Sequence, residues 1–143
     1  MNYSCDCTIN RPRDTVIALF DSTENLPKWQ DGLVSFDHVS GSPGQEGAVS
    51  RLRYQMGKRE IEMVETITER ALPDRFAATY EADGVWNIVE NRFEALGDRT
   101  RWQIDTEFRC KGMMRIMAFL MPGAFRKQTE KMMQSFKSFA ESQ

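Results

Sequence analysis

Apolar and polar residues alternate with period two along most of the chain up to Cys110, then recur at helical spacing after Gly112. The first alternating run, residues 3–9, reads as a strand ended by Arg11-Pro12. Pro12 at the start and Asp14 in the first turn open a short helix through Asp21, with Val16, Leu19 and Phe20 as its buried stripe. Ser22 or Thr23 then caps a second short helix holding Leu26 and Trp29, closed by Asp31-Gly32. Six more strands are predicted over residues 33–40, 48–56, 59–70, 75–82, 85–96 and 100–110. After Gly112 the residues Met113, Ile116, Met117 and Leu120 share a helical face. Beyond a break at Pro122, Phe125, Thr129, Met132, Met133, Phe136 and Phe139 do the same. The pattern predicts an α+β domain over 1–143: a curved seven-stranded antiparallel sheet on a long C-terminal helix, with two short helices between strands 1 and 2.

Three tight turns, Gly57-Lys58, Asp83-Gly84 and Gly97-Asp98, fix the register of the strands they join. They place Tyr54 opposite Ile61, Leu52 opposite Met63 and Ser50 opposite Glu65. The second puts Tyr80 opposite Asn87 and Phe76 opposite Asn91; the third puts Phe93 opposite Trp102 and Val89 opposite Thr106. All three keep one set of alternate residues on one face: Leu52, Tyr54, Met63, Glu65, Phe76, Tyr80, Asn87, Asn91, Phe93, Trp102 and Thr106. Several of these are polar where a packed core needs methyl groups, and a buried polar group without a partner costs a few kcal/mol. The face therefore predicts a cavity between sheet and helix.

Glu65 is the sharpest candidate on that face. Ile61, Met63 and Ile67 surround it and would raise its pKa, which suits either an acid/base group or a carboxyl held in a structural hydrogen bond. Asn87 and Asn91, on one face of the same strand, with Tyr80 across from Asn87, could orient a ligand or form an internal polar network. Trp86 and Ile88 have the opposite parity, so they form an outward patch unless a bulge buries them. Met117, Met121 and Phe125 on the last helices would line the cavity mouth. The apolar face of 113–121 is expected to pack on the sheet. Its basic flanks also resemble an interfacial anchor, a minor membrane reading.

Composition narrows the classes. A chain of 143 residues, 41% hydrophobic and 28% charged, folds as one domain without a staple. The first ten residues read as a strand and not as a secretory signal, and a cytoplasmic protein is expected. Three cysteines argue against a disulfide framework, and the single histidine, His38, leaves no zinc ligand set. No phosphate loop is present, since residues 41–47 lack its lysine and following helix. No metal and no cofactor are expected. Residues 60–107 carry twelve acidic and five basic side chains, and 108–143 two acidic and seven basic. That asymmetry predicts a basic helix packed over an acidic sheet, and no nucleic-acid partner. Monomer and homodimer both remain open.

The order of elements carries a resemblance. Trp29 follows the helix pair, Gly41-Ser42-Pro43-Gly44-Gln45-Glu46-Gly47 precedes the third strand, and Glu65 with Leu72-Pro73 closes the fourth. Phe93 with Thr100-Arg101-Trp102 surrounds the last hairpin, and Met121-Pro122 precedes the final helix. Together these resemble the START/Bet v 1-like helix-grip superfamily (SRPBCC), most closely its polyketide cyclase/dehydrase and lipid-transport branch. Its Rieske oxygenase members carry a cluster domain and an iron site built on histidines, which this chain lacks. The resemblance implies binding of a small, largely apolar molecule, lipid-like or aromatic and polyketide-like, in the cavity. Its contacts would be Leu52, Tyr54, Met63, Phe76, Tyr80, Asn87, Asn91, Trp102, Thr106, Met117, Met121 and Phe125. One alternative is a cyclase or dehydratase with Glu65 as acid/base and Tyr54 or Tyr80 stabilising an enolate oxygen. Another is an Hsp90-activator-like interaction module using the outer face at Trp86 and Ile88.

Overall fold

In the computed structural model, which describes residues 1–143, the three predicted two-residue turns form with Gly57, Gly84 and Gly97 at φ of 64°, 75° and 66°. Only glycine enters that left-handed region without a steric penalty, so the turn residues set the strand lengths. The chain runs β1 (Asn2–Ile9), α1 (Arg13–Phe20), a 3₁₀ turn (Thr23–Asn25), α2 (Leu26–Trp29), β2 (Leu33–Ser40), β3 (Val49–Met56), β4 (Arg59–Ala71) and β5 (Arg75–Ala82). It continues through β6 (Val85–Leu96), β7 (Arg99–Cys110), α3 (Met113–Leu120) and α4 (Pro122–Glu141). The strands form one antiparallel sheet in the order β1-β7-β6-β5-β4-β3-β2. Every hairpin pairing predicted from the turns is present, including Ser50 opposite Glu65, Tyr80 opposite Asn87 and Phe93 opposite Trp102. This is the helix-grip fold. Strand β6 has no bulge, so Trp86 and Ile88 face outward, half-buried, with the Arg109 guanidinium 4.3 Å above the Trp86 ring.

The irregularity that matters lies in β4. Near the turn, Ala71, Arg70 and Glu69 oppose Arg75, Phe76 and Ala77. Beyond it, Ile67 opposes Ala78 and Glu65 opposes Tyr80, a shift of one residue. A one-residue slip reverses the face of every side chain, so this bulge is what lets β4 and β5 turn their apolar sides the same way. Without it Glu65 would oppose Glu81. The bulge leaves Arg70 in register with Phe76, where it donates to the Asp21 carboxylate just past α1 through two bonds of 2.9 and 2.6 Å and to the Gly44 carbonyl at 3.0 Å. The glycine-rich loop 41–47 is thus tied down by Arg70.

The packed core sits toward one side of the sheet. Cys5 and Ile9 of β1, Val16 of α1, Trp29 of α2, Phe93 of β6, Trp102 and Ile104 of β7, and Met133, Phe136 and Ala140 of α4 form one cluster. Phe20 is its hub, with its ring centroid 5.0–6.0 Å from those of Trp29, Phe76, Phe93, Trp102 and Phe136. Phe20 stacks on Trp29 and meets the other four edge-on, and aromatic pairs of these kinds contribute about 0.5–1.5 kcal/mol each beyond their buried area. The helix α4 lies mainly along β1, α2 and α3, and α1 lies on β6 and β7. Strands β3 and β4 contribute nothing to that cluster, and β5 reaches it only through Phe76 against Phe20.

Two expectations fail. The apolar face of α3 does not pack on the sheet: Met113, Ile116, Met117, Phe119, Leu120 and Met121 are all exposed. Only Met114 and Ala118 are half-buried, because α3 leaves β7 at Gly112 and meets the β5–β6 hairpin, where Met114 touches Gly84. The basic C-terminal segment does not neutralise the acidic sheet either. The acids lie on the convex face, paired with the sheet's own arginines: Glu62 with Arg51, Glu90 with Arg75 and Arg92, Asp6 with Arg101, and Glu107 with Arg109.

Candidate functional site

Four polar side chains cross the concave face in a single row. Ser50 of β3 opposes Glu65 of β4, Glu65 opposes Tyr80 of β5, and Tyr80 opposes Asn87 of β6. Neighbouring strands lie about 4.8 Å apart, so the row presents a polar group at each step. Apolar pairs flank it on both sides. Leu52 opposes Met63 and Ala82 opposes Val85 on one side, while Ile67 opposes Ala78 and Ala78 opposes Val89 on the other. Because the aromatic cluster grips the other half of the sheet, Ile61, Met63, Tyr80, Ala82, Val85, Asn87 and Val89 stay half-buried.

Within the row, Tyr80 Oη donates to Glu65 Oε2 at 2.8 Å. Glu65 is 9% exposed. Burial among apolar neighbours holds its carboxyl above the usual carboxylate range, and the bond from Tyr80 offsets part of that rise. Burial also raises both tyrosines, Tyr54 and Tyr80, with the Glu65 charge adding to each. Tyr54 donates to Gln30 Oε1 at 3.3 Å, and Gln30 Nε2 reaches Met132 Sδ at 3.7 Å, linking the site to α2 and α4. Glu65, Tyr54 and Tyr80 are therefore brought together as one electrostatic group. Glu65 Oε1 accepts no hydrogen bond from the protein.

Asn87 Nδ2 donates to Thr106 Oγ1 at 2.7 Å and to the Glu107 carbonyl at 2.9 Å, which leaves its Oδ1 without a protein donor. Thr106 in turn donates to the Ile88 carbonyl. Asn91 belongs elsewhere. Its Oδ1 accepts from Trp102 Nε1 at 3.0 Å and its Nδ2 donates to the Phe76 carbonyl at 3.2 Å, inside the aromatic core. Of the twelve candidate ligand contacts, Leu52, Tyr54, Met63, Tyr80, Asn87 and Thr106 lie on the face outside the aromatic cluster, with Met63, Tyr80 and Asn87 half-buried and Leu52, Tyr54 and Thr106 buried. Phe76, Asn91 and Trp102 are taken up by the core, Phe125 packs on Phe108 at 4.7 Å, and Met117 and Met121 are turned to solvent.

Gln30 escaped the sequence reading, since nothing in the periodicity singles out the residue after Trp29; its place at the end of α2, between Trp29 and Asp31-Gly32, is the only signal. A hollow of about 580 Å³ lies between α2 and α4. It is open and polar, lined by Lys28, Asp31, Lys131 and three serines, and it holds no comparable pairing of buried groups. The chemistry favours the row.

No curated protein matches the chain. Among solved structures it is similar to a conserved protein from Geobacillus kaustophilus, with a TM-score of 0.81 at 12% identity over 99% of this chain and 96% of that one. It is also similar to the Zhui aromatase/cyclase from Streptomyces sp. R1128 (0.78, 13%, 99% and 93%) and to a START superfamily protein from Mycobacterium smegmatis (0.78, 14%, 99% and 97%). At such identities these likenesses establish the fold, the START/Bet v 1-like helix grip. The family model described as polyketide cyclase / dehydrase and lipid transport matches residues 4–138, which takes in the concave row and most of β1 and α4, and the chain belongs to that family.

Proposed function

We propose that this protein binds a small, largely apolar molecule on the concave face of β3–β6, with one polar end of the molecule seated on the Ser50–Glu65–Tyr80–Asn87 row. The observation that carries this reading is the row itself, a line of polar groups between two apolar flanks on the half of the sheet outside the aromatic cluster, where Ser50 and Glu65 are buried and Tyr80 and Asn87 half-buried. Magnitudes divide the labour. An apolar body losing about 200 Å² of accessible surface gains roughly 5 kcal/mol. A hydrogen bond adds about 1 kcal/mol. The flanks therefore set affinity and the row sets orientation. Glu65 Oε1 and Asn87 Oδ1 are acceptors without protein donors, so the favoured polar end is a hydroxyl or another donor. Lipid-like and aromatic or polyketide-like molecules both fit that description.

Native mass spectrometry of the protein purified from its own host tests this directly. A retained apolar small molecule supports the reading, and its loss in a variant of the half-buried Met63, Met63→Asp, whose melting matches the parent, locates it on this face. A ligand retained equally by Met63→Asp sinks the proposed location.

One observation favours a second reading. Burial raises the Glu65 pKa and Tyr80 is hydrogen-bonded to it, an arrangement able to take a proton next to a carbonyl and to donate from Tyr80 to the resulting enolate oxygen. Such a cyclase-type step uses the same seat for the polar end. The interaction-module reading has less support, because the outward Trp86 is half-buried under Arg109.

A further inference from the structure

Helix α3 is built the wrong way round for a helix that only packs against its own domain. Met113, Ile116, Met117, Phe119 and Leu120 face solvent, Phe119 at 84% exposure, and the inward strip is only Met114 and Ala118. From Phe108 to Thr129 the chain holds five basic residues and no acidic one. Arg109 is committed to Glu107, but Lys111 and Arg115 at the start of α3 and Lys127 in the first turns of α4 make no ion pair. We infer that α3 is a docking surface for an anionic lipid bilayer, its apolar face entering the headgroup boundary while Lys111, Arg115 and Lys127 meet lipid phosphates and carboxylates.

Charge selects this occupant. An anionic interface complements an exposed apolar helix rimmed by unpaired cations. A second copy of the chain would bring the same cations against themselves, and like charges facing each other oppose association. The helix has eight residues, and no helix here is long and apolar enough to cross a membrane, so the contact lies in the plane of the interface. The inference does not depend on what the concave face holds.

Flotation of the whole protein with phosphatidylcholine vesicles, with and without about 30% phosphatidylserine, tests it. The expected result is retention on the anionic vesicles and release as salt rises toward about 1 M, where the Debye length shrinks to roughly 3 Å. The double variant Phe119→Asp/Leu120→Asp changes only exposed side chains, so its melting should match the parent while vesicle affinity falls by more than about tenfold. Lys111→Ala and Arg115→Ala should each weaken anionic binding by about fivefold. No retention by the unaltered protein overturns the inference, as does equal retention on both vesicle types or unchanged retention of the Asp variant. Dimerisation in solution that Phe119→Asp abolishes, without vesicle binding, assigns the face to a second copy and overturns it equally.

Discussion

Tyr80 donates its phenolic proton to Glu65 across the β4–β5 ladder at 2.8 Å, and this bond is the one direct link within the polar row. Replacing Tyr80 by Phe removes the donor and leaves a buried carboxyl without a protein partner. Since the bond lowers the Glu65 pKa, its loss should raise that pKa further, seen by carboxyl-carbon NMR titration. Urea unfolding near neutral pH should show a loss of roughly 1–3 kcal/mol. An unchanged titration would remove the bond from the account.

Glu65→Gln keeps the shape and an acceptor for Tyr80. Burial raises the folded-state pKa of Glu65, so the native state holds the proton more tightly than the unfolded chain does. Stability therefore falls as pH rises from the unfolded to the folded value. The glutamine variant lacks that loss, and it should be the more stable protein at about pH 8 with the advantage fading toward about pH 4. Binding of an apolar ligand should persist. If the chain turns over a cyclase-type substrate through Glu65, the same variant loses about 10²–10⁴-fold in rate, and equal rates dismiss Glu65 as the base.

Asn91→Leu separates core from site. The amide holds the Trp102 indole proton and the Phe76 carbonyl, so leucine strands both groups in a buried setting. The expected cost is roughly 1–3 kcal/mol in chemical denaturation, with ligand affinity little changed. A stable variant with weakened binding would return Asn91 to the ligand.

Gly84 and Gly57 have similar positive φ values, 75° and 64°, but a Cβ at Gly84 meets the Lys111 carbonyl at 3.1 Å and Met114 at 3.2 Å, whereas Gly57 faces open space. Both alanine variants carry the backbone penalty of about 1–2 kcal/mol. Only Gly84→Ala should also dislodge Met114. Hydrogen exchange over residues 112–121 should accelerate in that variant beyond its global destabilisation, and not in Gly57→Ala.

Where turn chemistry is strict, the sequence was a reliable guide. Two-residue turns leave little freedom in register, and Leu52–Met63, Tyr80–Asn87 and Phe93–Trp102 all pair as the alternation requires. The Leu72-Pro73-Asp74 connection has no such rule. The bulge between Ile67 and Glu69 was therefore invisible, and with it the alignment of Glu65 and Tyr80 that completes the row. Periodicity also cannot tell which way an apolar helix face points. The same spacing in α3 and α4 buries Phe136 and exposes Leu120. Asn91 was legible as an inward polar residue but not as the partner of Trp102, because that bond is diagonal across the β6–β7 ladder and depends on the indole's orientation.

The two ends of the chain are fastened to each other. Strand β1 pairs with β7 and lies under α4, Lys137 donates to the Thr8 carbonyl at 2.6 Å, and Arg11 donates to the carbonyl of Glu141. Closing so long a loop has an entropic cost that must be met before the contacts between the ends form. During synthesis, Trp29 and Trp102 leave the ribosome well before Phe136 arrives to cover them. For that interval the nascent chain displays its largest aromatic side chains, and it is a natural client for a holding chaperone.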